Sequence, residues 1–236
     1  MEIIVALDVH THQEALDVVY ELHEEVDYFK VGLVLLSSVG LDIVRELKRI
    51  GCRVFYDAKF HDIPSVVEKA ARGVARLGVD MFSVHIQGGR DMMMAAVGDV
   101  PAVGVTELTS NDTSEEHVLI YTQLAYDCGL AGVVCSARES ASVRIAFPEP
   151  FMIVTPGIRS TLGDDDRAEA RGAYTDRPTD AVAFGTDQER TVSPSQVTGS
   201  SYLVIGRPVL YPPLGSRLEA IRRIKQEISI PVCYTA

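Results

Sequence analysis

Short apolar runs rich in β-branched residues alternate along the chain with longer stretches whose apolar residues recur at helical spacing. The runs are Ile3–Leu7, Tyr28–Val31, Arg53–Tyr56, Met81–Val84, Ala102–Val105, Gly132–Cys135, Phe151–Val154 and Tyr202–Ile205. All but the last interval measure about 20 to 30 residues, the length of a βαβ repeat. Between them lie amphipathic segments such as Leu41-Asp-Ile-Val-Arg-Glu-Leu-Lys48, with apolar residues at helical intervals. Gly51, Gly78 and Gly129 stand just before a following run, where a helix C-terminus is capped by glycine. Eight such alternations predict an α/β protein, a (β/α)8 TIM barrel formed as a single domain over 1–236. A doubly wound open sheet is the alternative, but it opens with a Gly-rich turn after its first strand. Here that turn reads Asp8-Val-His-Thr-His-Gln13.

One interval breaks the rhythm. Nearly fifty residues separate Thr155 from Ser201, polar and poor in large aliphatics. Long segments of this kind act as lids or stay disordered, so an extended loop at about 160–187 is expected beside the site.

Composition narrows the setting. The chain has 236 residues, 47% hydrophobic and 23% charged, enough to bury a sizeable core. A formal net charge of −11 argues against a nucleic-acid or anionic membrane surface as partner. No apolar segment approaches the roughly 20 residues of a membrane span, and the start of the chain reads as a strand rather than a signal. A cytoplasmic protein is expected. The four cysteines show no metal spacing, and no His-x-x-x-His pair occurs, so reduced thiols and no structural zinc are expected. Cys135 is placed in a core strand.

Barrels of this type carry their sites at the C-terminal strand ends. There the first run ends at Asp8, the second carries Lys30, and the third is followed by Asp57-Ala-Lys-Phe-His-Asp62. Two residues apart in an extended segment, Asp57 and Lys59 would share a face, with Lys30 beside them. Buried charges are costly unless paired. A structural ion pair explains one Asp–Lys couple, but Lys30, Asp57, Lys59 and Asp62 together point to chemistry. An anion site is expected after the seventh and eighth strands, from Arg159, Gly206 and Arg207. His85 reads as a strand-end residue satisfying a core hydrogen bond, His61 as an orienting group, and Asp164–Asp166 as solvated carboxylates.

With those residues assembled, the sequence resembles the orotidine 5′-monophosphate decarboxylases, in their bacterial form, over nearly its whole length. Asp57-Ala-Lys-Phe-His-Asp-Ile-Pro64 fits the specific signature D-x-K-x-x-D-I-P. Val5-Ala-Leu-Asp8, Phe29-Lys-Val-Gly32, Val105-Thr-Glu-Leu-Thr-Ser110, Val154-Thr-Pro-Gly-Ile-Arg159, Asp187-Gln-Glu-Arg190 and Val204-Ile-Gly-Arg-Pro208 come in family order. The resemblance implies conversion of orotidine 5′-monophosphate to uridine 5′-monophosphate in pyrimidine biosynthesis, with no cofactor. It implies Lys59 as proton donor in a network with Lys30, Asp57 and Asp62. It further implies Asp8 at the ribose, Thr109 at the pyrimidine, and Arg159, Gln188, Gly206 and Arg207 at the phosphate. The same likeness implies a homodimer in which Asp62 reaches across from the partner subunit. The chain departs from the pattern at Val66, where the family has Thr, and in some twenty extra residues between Arg159 and Gln188. Two rivals stay open: a Mg²⁺-dependent sugar-phosphate enzyme of the same superfamily, which would carry an acidic residue at the second strand, and a non-catalytic nucleotide-binding barrel.

Overall fold

A computed structural model describes residues 1–108, 110–111, 113–158 and 192–229. Eight parallel strands close into a barrel in sequence order. They are β1 (Glu2–Ala6), β2 (Tyr28–Gly32), β3 (Arg53–Phe60), β4 (Met81–His85), β5 (Ala102–Val105), β6 (Gly132–Val134), β7 (Met152–Thr155) and β8 (Tyr202–Ile205). The first strand pairs with the last through Glu2↔Tyr202 to Val5↔Ile205, so no sheet edge is left open. The described helices are α1 (His12–Leu22), α2 (Leu33–Val39), α3 (Asp42–Ile50), α4 (Pro64–Arg76), α5 (Gly89–Ala96), α6 (Glu115–Asp127), α7 (Ala137–Ala146), α8 (Arg207–Leu210) and α9 (Arg217–Ser229). This is the expected (β/α)8 barrel. None of them is long and apolar enough to cross a membrane.

Local chemistry sets where the helices start and stop. Thr11 caps α1 in a capping box with Glu14, Pro64 occupies the first turn of α4, and Ser114 and Ser136 cap α6 and α7. Each cap satisfies a backbone donor that the helix leaves unpaired. Gly51, Gly78 and Gly129 all have positive φ, which lets the chain turn from a helix into the next strand. The sequence-expected strand bounds hold to within a residue or two, apart from β3. Its ladder continues through Phe60, so Asp57 and Lys59 lie inside the strand rather than after it. Cys135 is buried, but sits one residue past the end of β6.

Alternation along each strand divides the core in two. Ile4, Ala6, Tyr28, Phe55, Met81, Val103, Val105, Val134, Val154 and Val204 fill the barrel interior. Their alternate neighbours, including Val5, Phe29, Val31, Val54, Phe82 and Val133, pack outward against the helices. At the N-terminal end Arg53 donates to Asp27 and Glu2 and lies 4.6 Å over the Tyr28 ring. Tyr28 in turn meets Tyr202 edge-on at 5.7 Å. This end is sealed by packing, leaving the opposite end for a site.

Gly132 has no room for a side chain, because a Cβ there would strike the Met152 backbone carbonyl on the adjacent strand. A strand carbonyl cannot retreat without breaking its ladder, and overpacking costs about 1–3 kcal/mol or more. Gly132→Ala is therefore expected to lower the thermal unfolding midpoint by several degrees. An unchanged midpoint in a thermal melt would show that β6 and β7 tolerate separation.

Candidate active site

The C-terminal barrel mouth carries a row of alternating charge. Lys30 Nζ lies 3.0 Å from Asp8 Oδ1 and 3.6 Å from Asp57 Oδ2, and Lys59 Nζ donates to that same Asp57 oxygen at 2.8 Å. Asp8, Lys30, Asp57 and Lys59 thus form a line from β1 across β2 to β3. The strands dictate this placement. Val5 and Ala6 pair with Phe29 and Lys30, and Lys30 and Gly32 pair with Phe55 and Asp57. Gly32 is small for a reason: a Cβ there would come within 2.7 Å of the Lys30 ammonium.

The line is graded in burial. The Lys30 and Asp57 side chains are 11% and 10% exposed, Lys59 29% and Asp8 43%. Burial alone would push the Asp57 carboxyl up, but the Lys30 and Lys59 charges, with hydrogen bonds from Lys59 and Ser83, hold it below the usual carboxylate range. Burial pulls Lys30 down, and the attraction of Asp8 and Asp57 more than offsets it, so its pKa stands above the ordinary lysine value. The Asp57 and Lys30 charges are therefore kept by their neighbours. With two cations and two anions the row is neutral, and the Lys59 side chain at its end stays partly exposed.

Lys59 reaches this position by an unexpected backbone. The β3–β4 ladder shifts register between Tyr56 and Phe60, and Lys59 has φ 51. The two-residue alternation of a regular strand therefore does not explain why Asp57 and Lys59 meet; a bulge does. Ser83 on β4 accepts from the Lys59 N–H at 2.9 Å and donates to Asp57 Oδ1 at 2.8 Å. Sequence reasoning passed over Ser83. The signal was present: positions 81, 83 and 85 share the inward face of β4, and a hydroxyl stands there among apolar side chains.

Other site residues fall into three groups. Gly206 lies beside Asp8, since a Cβ there would sit 3.6 Å from Asp8 Oδ2, and it precedes α8, which begins with Arg207. These two are at the end of β8, as expected. Asp62 is exposed just before α4, its carboxylate taking the Ile63 N–H at 2.7 Å. It makes no ion pair among the described residues. Thr109, Arg159 and Gln188 lie outside the described residues, as does the 160–187 segment with Asp164–Asp166.

His85 departs from expectation. Its Nδ1 is buried without a hydrogen-bond partner among the described residues. Its ring stands 5.5 Å from that of His61, and burial, followed by His61 and Lys59, pushes its pKa down. A neutral imidazole adds no third cation beside the two lysines. Past β5, the Glu107 carboxylate receives Gln87 Nε2 and Asn111 Nδ2, each at 3.1 Å, bracing the rim.

Comparison with known proteins decides the family. The model of the Orotidine 5′-phosphate decarboxylase / HUMPS family matches residues 1–224. The chain belongs to that family. Among similar relatives is the orotidine 5′-phosphate decarboxylase of Heliobacterium modesticaldum, 36% identical over 96% of this chain and 95% of its own. The orotidine 5′-phosphate decarboxylase of Moorella thermoacetica is 39% identical over 97% and 92%. Among solved structures, the orotidine 5′-phosphate decarboxylase from Lactobacillus acidophilus matches with a TM-score of 0.72 and 27% identity, covering 97% of this chain and 99% of its own. An uncharacterised conserved protein from Geobacillus kaustophilus matches with a TM-score of 0.74 and 31% identity, covering 96% and 99%. The strand-mouth residues of the family likeness are thus embedded in the family's whole barrel.

Removing Lys30 would leave Asp57 buried beside one cation instead of two. Breaking a buried pair costs about 3 kcal/mol or more, so Lys30→Met should lower the unfolding midpoint near about pH 7.5. The Asp57 carboxyl would then move up from its depressed position, and the mutant's folded state would take up a proton more readily than the native one. The deficit relative to wild type should accordingly shrink as pH falls toward the ordinary carboxyl range. A constant deficit across thermal melts at several pH values would mean that Lys30 does not hold the Asp57 charge.

Proposed function

We propose that this chain removes carbon dioxide from orotidine 5′-monophosphate to give uridine 5′-monophosphate, within pyrimidine biosynthesis and without a cofactor. The observation that carries the reading is the neutral row Asp8–Lys30–Asp57–Lys59, with contacts of 3.0, 3.6 and 2.8 Å, set at the barrel mouth. Membership of the family supports it, as do the names of the full-length relatives. Lys30 also stands where the Mg²⁺-dependent sugar-phosphate enzymes would carry an acid.

Loss of carbon dioxide from the pyrimidine leaves a carbanion in the plane of the ring, with no conjugated system to take its charge. The barrier must fall by electrostatics. A preorganised ammonium is the apt group, because it needs no reorganisation when charge develops. Lys59 stabilises the electron pair at carbon six and then delivers the proton there. Asp57 fixes that ammonium and borders the departing carboxylate. Lys30 keeps Asp57 ionised and ties it to Asp8, which faces the ribose. Gly206 and Arg207 take the phosphate at the end of β8, joined by Arg159 and Gln188, while Thr109 meets the pyrimidine. Phosphate contacts remote from the reacting carbon supply binding energy that is used in the transition state.

Asp62 completes the site from a second copy of the chain. Its exposure supports this arrangement, as do the exposed apolar side chains next to it in the chain, Ile63 just before α4 and Val66 in its first turn. Exposed apolar side chains of this kind suit an interface between copies.

With EDTA present, the purified protein should convert the orotate absorbance spectrum of the substrate to that of uracil, and Lys59→Ala should stay folded yet inert. A wild-type protein that produces no uracil spectrum, or a Lys59→Ala variant with substantial turnover, would overturn the reading. Shared sites have their own signature. Lys59→Ala and Asp62→Ala, each inactive alone, should recover activity when mixed under exchange conditions, because hybrid dimers hold one intact site. No recovery from subunits proven to exchange would mean that each chain completes its own site.

A further inference from the structure

The bulge in β3 creates a backbone donor that the sheet does not serve. Tyr56 pairs with Phe82 and Phe60 with Val84. Between those pairs β3 places three residues, Asp57, Ala58 and Lys59, against the single residue Ser83 of β4. A bulge leaves its extra residues outside the ladder. Lys59 moreover sits at φ 51, a conformation that costs a residue with a side chain about 1–3 kcal/mol and persists only where its surroundings impose it.

Ser83 is the group that imposes it. The residue is 1% exposed, and its Oγ does two things at once. It accepts from the Lys59 N–H at 2.9 Å and donates to Asp57 Oδ1 at 2.8 Å. A hydroxyl has one proton and two acceptor positions, so both bonds are made by the same atom without conflict. The other Asp57 oxygen receives Lys59 Nζ at 2.8 Å. A closed ring results, running from the hydroxyl through the carboxylate and the lysine side chain to the lysine N–H. With both carboxylate oxygens occupied, Asp57 is held in one rotation. With N–H and Nζ both tied, Lys59 is held at both ends.

We propose that Ser83 is a positioning residue of this site, whose hydroxyl locks the Asp57–Lys59 bulge and thereby fixes the ammonium in space. It acts through Lys59 and Asp57 rather than on the substrate. An apolar side chain of similar size would leave the Lys59 N–H and one Asp57 oxygen unpaired in a place shielded from water, where each seeks another partner by moving. The inference rests on the decarboxylation proposed above, in which the reacting geometry depends on the place of one ammonium. Misplacement by about an ångström is enough to cost a hundredfold in rate.

The test compares wild type, Ser83→Ala and Ser83→Thr by crystal structure, steady-state kinetics, uridine 5′-monophosphate affinity and thermal melting. In Ser83→Ala, Lys59 should leave its left-handed conformation. That variant should lose about 10- to 100-fold in kcat, with KM and nucleotide affinity held within about threefold. Ser83→Thr, which keeps the hydroxyl, should recover most of the lost kcat. An unmoved Lys59 backbone in the Ser83→Ala crystal structure would overturn the proposal, as would a kcat within twofold of wild type. Equal losses in Ser83→Ala and Ser83→Thr would do the same, since packing alone would then explain them. A wild-type enzyme inert on orotidine 5′-monophosphate would remove the reaction instead, while the paired crystal structures would still decide whether the hydroxyl holds Lys59.

Discussion

The burial of Asp57 is the constraint around which the site is arranged. A carboxylate in this position, with its side chain 10% exposed, retains its charge only if cations replace the water it has lost. Lys30 and Lys59 do so from either side, and Asp8 compensates Lys30 in turn. The outcome is electroneutral yet polarised, with alternate charges a few ångströms apart and Lys59 the more exposed of the row's two lysines. Such a row is held in place by its own contacts. Preorganisation of this kind is what an electrostatic mechanism requires, because the charges need not be gathered as the reaction proceeds.

The barrel makes this arrangement possible at tolerable cost. Its interior is apolar from Tyr28 and Met81 up to Val105 and Val134, and its N-terminal end is closed by Arg53, Tyr28 and Tyr202. Stability is therefore supplied by one end and the middle, while charged residues occupy the other end. Closure in sequence order brings β1, β2, β3 and β4 side by side, so groups distant in the chain, from Asp8 to Ser83, become neighbours. Three irregularities lie at that end: the register shift in β3, the left-handed Lys59 and the His85 Nδ1 that has no hydrogen-bond partner among the described residues. Backbone strain of this kind clusters at functional sites.

Much of the site was legible because strand alternation is a strict two-residue rule. It places Asp8, Lys30 and Asp57 on the inward face, and the charged signature from Asp57 to Asp62 marks the third strand as special. Asp57 and Lys59 belong together, but for a reason alternation does not contain. Regular pairing with β4 ends at Tyr56, and the backbone from Asp57 to Lys59 is shaped by that strand through Ser83. A serine within Met81-Phe-Ser-Val-His85 looks ordinary until the β3–β4 register is known, since only then does its hydroxyl face a donor that lacks a ladder partner. His85 illustrates the opposite case: its place at the strand end was readable, but its lack of an Nδ1 partner among the described residues depends on what surrounds the ring.

The amino-acid order by itself determined the fold class, the strand count, the glycines that end three helices and the identity of the charged groups, because hydrophobic period and capping chemistry are local properties. Membership of the family was legible for a related reason, as its motifs are short and contiguous. Only the tertiary structure decided the order of charges along the mouth, which carboxylate oxygen meets which ammonium, and the balance that keeps Asp57 ionised. Those depend on strand register, on a bulge and on burial. They arise from closing the barrel, since desolvation and charge pairing are set by everything within a few ångströms rather than by neighbours along the chain.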